Sequence, residues 1–218
     1  MKEIFNFLTS LDANNNKDWF DNNRDIYEKT RQQFLGITEV LINEIRSFDP
    51  EIPFIDPKKC VFRIFKDVRF SKDKTPYKNN YGAFIARDGR KGGNPGYYFH
   101  IQPGASFLSG GIYMPDPDKL KAIRSEIFSH PQDFIDLLEE PEFKSRFELF
   151  SDDKLKTAPK DFPKDFEHID LLRYKSYAPY MPINDKQMLD PDIIEFVLDH
   201  YRLIKPMNDY LNYAIEKL

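Results

Sequence analysis

The apolar residues of this chain change their spacing twice, and that change limits the folds open to it. From Ile4 to Ile45 they recur at helical intervals: Ile4, Phe5, Leu8 and Leu11, then Trp19, Tyr27, Phe34, Ile37, Leu41 and Ile45. Between Val61 and Tyr113 the pattern becomes short runs rich in Tyr, Phe, Ile and Val, separated by clusters of Gly, Pro and Asn. Helical spacing returns at Leu120, Ile123 and Ile127 and recurs along the C-terminal half. Helices, then strands, then helices predict an α+β fold. We expect a central antiparallel sheet from about Val61 to Tyr113, flanked by N-terminal and C-terminal helices. No repeat, low-complexity tract or linker interrupts the chain, so residues 1–218 are expected to form a single domain.

The punctuation sets the expected boundaries. Asn14-Asn15-Asn16 should close the first helix and open the second, because Asn suits both left-handed turns and N-caps. The long helix that follows is expected to break near Asn22-Asn23 and to stop before Asp49-Pro50. Four strands are expected: Val61–Lys66, Tyr81–Arg87, Gly96–Gln102 and Ser106–Tyr113. Asp116-Pro117 places a cap and a first-turn proline at the start of a helix, and Phe134, Leu137 and Leu138 mark another. Asp190-Pro191 opens a helix through Ile193, Ile194, Val197, Leu198 and Tyr201. Pro206 is expected to open a last one with Tyr210, Leu211, Ala214 and Leu218. Ser151 to Tyr180 carries no clear period.

Composition narrows the function classes. Aromatics make up 15% of the chain, with 20 Phe and 12 Tyr, which predicts a Phe-rich core rimmed by Tyr. The single cysteine, Cys60, rules out an internal disulfide, suits a reducing compartment and reads as a buried structural thiol. No run of about 18 apolar residues is present, so no membrane partner is expected. The N-terminus lacks the apolar core of a leader, so the expected address is the cytoplasm. The net charge of −4 predicts no polyanion partner for the chain as a whole.

That charge is distributed unevenly. Lys58 to Lys91 holds eleven Lys/Arg against three Asp, which leaves −12 on the rest of the chain. Such a local positive field is suited to drawing an anion. If Val61–Lys66 is a strand, Arg63, Phe65 and Asp67 share one face. Beyond Val68 the crowding of Lys, Asp and Pro predicts a loop carrying Arg69, Ser71, Lys72, Lys74 and Lys78. Arg supplies a two-pronged donor for phosphate or carboxylate, and Lys a point charge. Against this stands a structural reading, in which Asp67 and Asp73 neutralise these cations as ordinary surface ion pairs.

The run Arg69-Phe70-Ser71-Lys72-Asp73-Lys74-Thr75-Pro76-Tyr77-Lys78 is preceded by Asn14-Asn15-Asn16-Lys17-Asp18-Trp19-Phe20, Asn23-Arg24 and Tyr27. It is followed by Gly96–Gly104, by Gly110-Gly111-Ile112-Tyr113-Met114-Pro115 and by Leu171-Leu172-Arg173-Tyr174-Lys175-Ser176. Over nearly its whole length the chain thereby resembles a widespread, mainly bacterial family of conserved hypothetical proteins, a domain of unknown function. The resemblance implies one full-length domain and no established reaction, cofactor or catalytic residue. The chain departs from the usual pattern at Pro159-Lys160-Asp161-Phe162 and Asp165-Phe166-Glu167-His168, where the histidine is displaced by two positions.

His100 shares a strand face with Tyr98 and Gln102, opposite Tyr97, Phe99 and Ile101, and is a weak candidate for a proton carrier; His130 and His200 read as incidental. The glycines from Gly89 to Gly96 fit neither the dinucleotide fingerprint nor the phosphate-binding loop of nucleotide hydrolases, and read as a hairpin. Ser109-Gly110-Gly111 reads as a bend before it reads as an anion nest. No metal signature is present and no cofactor is expected. Trp19, Phe20, Tyr77, Tyr97 and Tyr98 raise the question of base stacking, but a pI near 5.7 argues against a dedicated nucleic-acid binder.

The leading expectation is a small phosphorylated or carboxylated ligand at the sheet edge, held by Arg63, Arg69, Lys72, Lys74 and Lys78. Tyr77 and His100 would shape the pocket, and Arg173 or Lys175 would arrive from the C-terminal half. Two alternatives stay open: a flat module for nucleic acid or an acidic protein, and a basic loop that is structural only. The residues leave turnover of the ligand and oligomeric state open.

Overall fold

A computed structural model describes residues 1–69 and 72–217. Phe70, Ser71 and Leu218, which the sequence placed in the basic segment and the last helix, lie outside the described residues. The chain opens with α1 (Lys2–Ala13), α2 (Lys17–Asn22), α3 (Arg24–Phe48) and the single turn α4 (Pro57–Cys60). The asparagines punctuate as expected. Asn16 caps α2 by accepting from the Trp19 N–H at 2.9 Å, and Asn23 separates α2 from α3.

Three strands follow as a meander: β1 (Tyr81–Ala86), β2 (Gly96–Ile101) and β3 (Ser106–Gly111). Then come α5 (Pro117–Ser129), α6 (Pro131–Glu139), α7 (Pro141–Arg146), the two-residue β4 (Glu148–Leu149), α8 (Ile169–Leu172), β5 (Pro179–Ile183), α9 (Asp185–Met188) and α10 (Ile193–Glu216). Among the described residues the sheet has five strands, all antiparallel, in the order β1-β2-β3-β5-β4. The fold is α+β, with helices before and after the strand-rich middle.

The sheet departs from expectation at both edges. Val61–Lys66 is not a strand. It contributes only isolated bridges, Val61 to Ala83 and Phe65 to Tyr77. The Phe62 N–H bonds the Gly82 carbonyl at 2.9 Å, and the chain then peels away from β1. On the other side the sheet extends beyond Tyr113 by recruiting β5, which pairs Leu108 with Met181 and Ser109 with Tyr180. Pro206 does not open a new helix; it lies inside α10. Packing outweighs the lost backbone bond there. Ile204 presses on Gly110, and buried Asn208 accepts from the Gly111 N–H at 3.0 Å while donating to the Gly96 carbonyl at 3.2 Å.

One face of the sheet carries the core. Tyr81, Ala83, Ile85, Tyr97, Phe99 and Leu108 alternate inward and are buried. Phe34 of α3 stacks on Tyr81 at 5.2 Å, Phe48 meets Tyr97 edge-on, and Tyr201 of α10 lies 5.0 Å from Tyr97. The Tyr97 hydroxyl donates to Asp49, just past the end of α3, at 2.6 Å. The opposite face, with Phe84, Tyr98, His100, Phe107 and Tyr180, carries the candidate site.

Candidate functional site

The basic segment leaves β1, makes a short excursion and returns. Its two arms pair: the Lys66 N–H bonds the Pro76 carbonyl at 2.9 Å, and the Lys78 N–H bonds the Ile64 carbonyl at 2.7 Å. The N-terminal helices pin this excursion. The Asn15 side chain donates to the Tyr77 carbonyl at 2.9 Å and accepts from the Tyr77 N–H at 3.1 Å. The Tyr77 ring is buried and stacks on Phe20 at 4.0 Å. Tyr77 is therefore an anchor packed in the core, where the sequence had it shaping a pocket.

The cations sort into two groups. Those at the tip of the excursion satisfy one another's counter-charges. Arg69 grips Asp67 with both prongs, Nε to Oδ1 at 2.9 Å and Nη2 to Oδ2 at 2.6 Å. Lys66 donates to Asp73 at 2.8 Å and to Thr75 at 2.6 Å. The Asp73 carboxyl is accordingly held well below the usual carboxylate range, by Lys66 first and by Thr75 next. Lys74 donates to the Val68 carbonyl at 3.0 Å, and Lys72 is exposed. Asp67 and Asp73 thus stand as counter-charges and turn-formers.

The cations at the base of the excursion are arranged otherwise. Lys78 Nζ lies 5.5 Å from the centre of the Phe62 ring, and the Arg90 guanidinium 5.8 Å from it. Exposed Arg63 is near enough that its charge, together with that of Arg90, repels Lys78. Burial is the larger cause, and all three act to pull the Lys78 ammonium below its ordinary pKa. Among the described residues no carboxylate lies within ion-pair distance of Arg63, Lys78 or Arg90. Asp67 is close enough to feel Arg63, but its oxygens are taken by Arg69. Arg90 is fixed by donating to the Lys59 and Lys58 carbonyls at the end of α4, at 2.9 and 3.3 Å. In the sequence Arg90 is one of the cations of Lys58–Lys91 and falls in a hairpin turn. Its proximity to Phe62 arises because the 3-10 turn Gly89–Lys91 packs on α4, which no local pattern announces.

Beside these cations the sheet presents a polar line through its aromatic face. The Tyr98 hydroxyl lies 2.9 Å from His100 Nδ1, and His100 Nε2 lies 3.0 Å from Gln102 Oε1. With Gln102 Oε1 as acceptor, Nε2 carries the proton and Nδ1 accepts from the phenol. His100 is 8% exposed, stacked on Phe107 at 4.3 Å, and its pKa is lowered by burial. Lys78 lies near enough to add to that lowering. Burial also pushes the Tyr98 phenol up to about 12. Gly82, opposite His100 in the ladder, makes room for this arrangement. A Cβ there would stand 2.5 Å from the Tyr98 hydroxyl. The pair is a neutral base beside a phenol, near enough to Lys78 to feel its charge.

The remaining sequence candidates lie elsewhere. Arg173 and Lys175 sit on the segment leading into β5, with Arg173 3.4 Å from Asp170. The strand order puts β2 and β3 between β5 and the β1 edge that the basic segment borders, a span of roughly 14 Å at the usual strand spacing. Of the aromatics considered for stacking, Phe20, Tyr77 and Tyr97 are buried, Trp19 is packed against Phe7, and Tyr98 reaches the open face. The Gly111 N–H is taken by Asn208. Cys60 is buried and its thiol is pushed up to about 11 by desolvation. Among the described residues no group of three or more metal-ligating side chains comes together, and no helix is long and apolar enough to cross a membrane.

The family model described as "Conserved hypothetical protein (DUF2461)" matches residues 3–210. None of the curated proteins and none of the solved structures matches the chain.

Proposed function

The chain belongs to the DUF2461 family of conserved hypothetical proteins, and we propose that it binds a small phosphorylated ligand on the open face of its sheet, at Lys78, Arg63 and Arg90. The observation that carries this reading is the meeting of Lys78 and Arg90 at the Phe62 ring, with Arg63 near enough to repel Lys78 and, among the described residues, no carboxylate within ion-pair distance of the three. Like charges gathered at a half-buried position repel one another, and an arrangement that weakens the fold is retained where a ligand relieves it. Arg63 and Arg90 offer forked donors suited to phosphate oxygens, and Lys78 adds a compact charge. Three cations in a chain of net −4 suit a small anion better than a long polyanion. The Tyr98 hydroxyl and His100 border the cluster and supply a hydrogen-bonding edge to whatever the phosphate is attached to.

A structural role fits the tip of the excursion better. The pairing of Arg69 with Asp67 and of Lys66 with Asp73 supports it.

The test is thermal unfolding with and without inorganic phosphate and ribose 5-phosphate, each at low and near-physiological salt. A ligand that binds only the native state raises the Tm by mass action. The expected result is a rise that survives salt, disappears in Lys78→Ala and persists in Arg69→Ala. No rise from either compound, or the same rise in Lys78→Ala, would sink the reading.

A further inference from the structure

Next to the cations, the open sheet face carries a row of rings that the phosphate reading leaves without a task. Phe62 stands edge-on to Tyr98 at 6.0 Å, Tyr98 lies 5.5 Å from Phe107, and Phe107 lies 4.9 Å from Tyr180. The last three belong to β2, β3 and β5, which are neighbours in the sheet. The row therefore zigzags across the strands, since Tyr98 and Tyr180 both face Ser109 in the ladder and Phe107 lies two residues along from it. It begins at the ring bracketed by Lys78 and Arg90. The row is open to water: Phe62 is 37% and Tyr180 38% exposed, and Tyr98 and Phe107 are partly so. Apolar rings left open to water on a sheet whose other face is fully packed call for an occupant of matching shape.

We propose that the phosphorylated ligand is a nucleotide, with its phosphate among Lys78, Arg63 and Arg90 and its base against Phe107 and Tyr180. The inference rests on the phosphate reading above and specifies it. A nucleotide joins an anionic group to a flat, weakly polar ring, and this face offers cations followed by aromatic rings in the same order. Every base has a π face, so stacking on such rings is general to nucleotides. Glu148 of β4 pairs with Tyr180 across the ladder, and its carboxylate would oppose a further phosphate. The site therefore takes one nucleotide rather than a continuing strand.

The experiment is calorimetric titration of the full chain with AMP, ribose 5-phosphate and adenosine, repeated on Phe107→Leu and Tyr180→Leu. AMP is expected to bind at least about tenfold more tightly than ribose 5-phosphate, the usual effect of stacking one base. In Tyr180→Leu, and in Phe107→Leu where it folds, that advantage should shrink towards nothing while ribose 5-phosphate binds as before. Equal affinities for AMP and ribose 5-phosphate in the unaltered protein would overturn the base and leave the phosphate standing. No binding of either phosphate would overturn both readings. Adenosine binding as tightly as AMP would remove the phosphate and with it the proposal.

Discussion

The side chain of Asn15 and the backbone of Tyr77 exchange two hydrogen bonds, at 2.9 and 3.1 Å, so that an asparagine from the loop between two helices reads the peptide group of a residue in the basic excursion. This pairing holds the returning arm of the excursion, and Lys78 follows directly after it. Asn15→Ala removes both partners at once from a partly buried peptide group. The expected loss is about 1–3 kcal/mol of unfolding free energy, measured by urea denaturation. Asn15→Asp keeps the acceptor for the Tyr77 N–H but sets a carboxylate oxygen against the Tyr77 carbonyl, so it should not restore stability.

Lys78 is expected to weaken the fold that carries it. Its ammonium is disfavoured by burial and by Arg63 and Arg90. Lys78→Met keeps an unbranched stem over Phe62 and removes the charge. It should raise the urea midpoint slightly, since solvent screens part of the repulsion, while abolishing the phosphate-induced rise in Tm. A destabilised Lys78→Met variant would show that the cation–ring contact outweighs the repulsion.

Gly82→Ala puts a methyl group where the Tyr98 hydroxyl now lies. The phenol must move, and its hydrogen bond to His100 should break. The expected cost is about 1–3 kcal/mol, in the range of overpacked sites. The sharper readout is the His100 ring by NMR, whose nitrogen shifts should change in Gly82→Ala and in Tyr98→Phe alike. Unchanged His100 signals in both would mean that the phenol does not hold the tautomer.

Acid should weaken the protein before its carboxylates titrate. The pKa values of His100 and His200 are both lowered in the folded state, chiefly by burial. The unfolded chain therefore takes up protons first as the pH falls below 6.5, the ordinary histidine value. Stability contributed by the neutral rings is complete above that pH and declines below it. Urea midpoints followed from about pH 7.5 down to about 5 should fall, and the fall should be shallower in His100→Gln. A flat profile over that range would count against neutral, buried rings.

Arg69→Ala tests the tip of the excursion. Its pair with Asp67 is exposed, so the urea midpoint should barely move, and phosphate binding should be unaffected.

The meander β1-β2-β3 was legible because Gly, Pro and Asn clusters bracket runs of alternating Tyr, Phe and Ile. β5 was not. Its sequence Pro179-Tyr180-Met181-Pro182-Ile183 carries two prolines, which argue against a strand, and its partner β4 has only two residues. Val61–Lys66 alternates like a strand, but only its first residues stay beside β1, since Lys66 bonds Pro76 instead. The break expected at Pro206 failed because the contacts of Ile204 and Asn208 with the sheet hold α10 across it. At the site, counting charge located the right segment but could not separate the cations that Asp67 and Asp73 neutralise from those at the base. His100 and Tyr98 were placed on one face by strand period alone. Phe107 joined them through the neighbouring strand β3, and Tyr180 only through pairing with β5, a strand distant in sequence.

The place of β5 between β3 and β4 also sets the order in which the chain can complete itself. As the protein emerges during synthesis, the meander can close once β3 has appeared. Its β3 edge then stays unpaired until Pro179–Ile183 arrives. An open edge is a template for pairing with another chain, and contacts this far apart in sequence form late. The nascent protein therefore passes through an interval in which it is most exposed to joining its neighbours. Tyr180 completes the ring row in the same step that closes this edge, so a chain able to use its open face is one that has already passed that hazard.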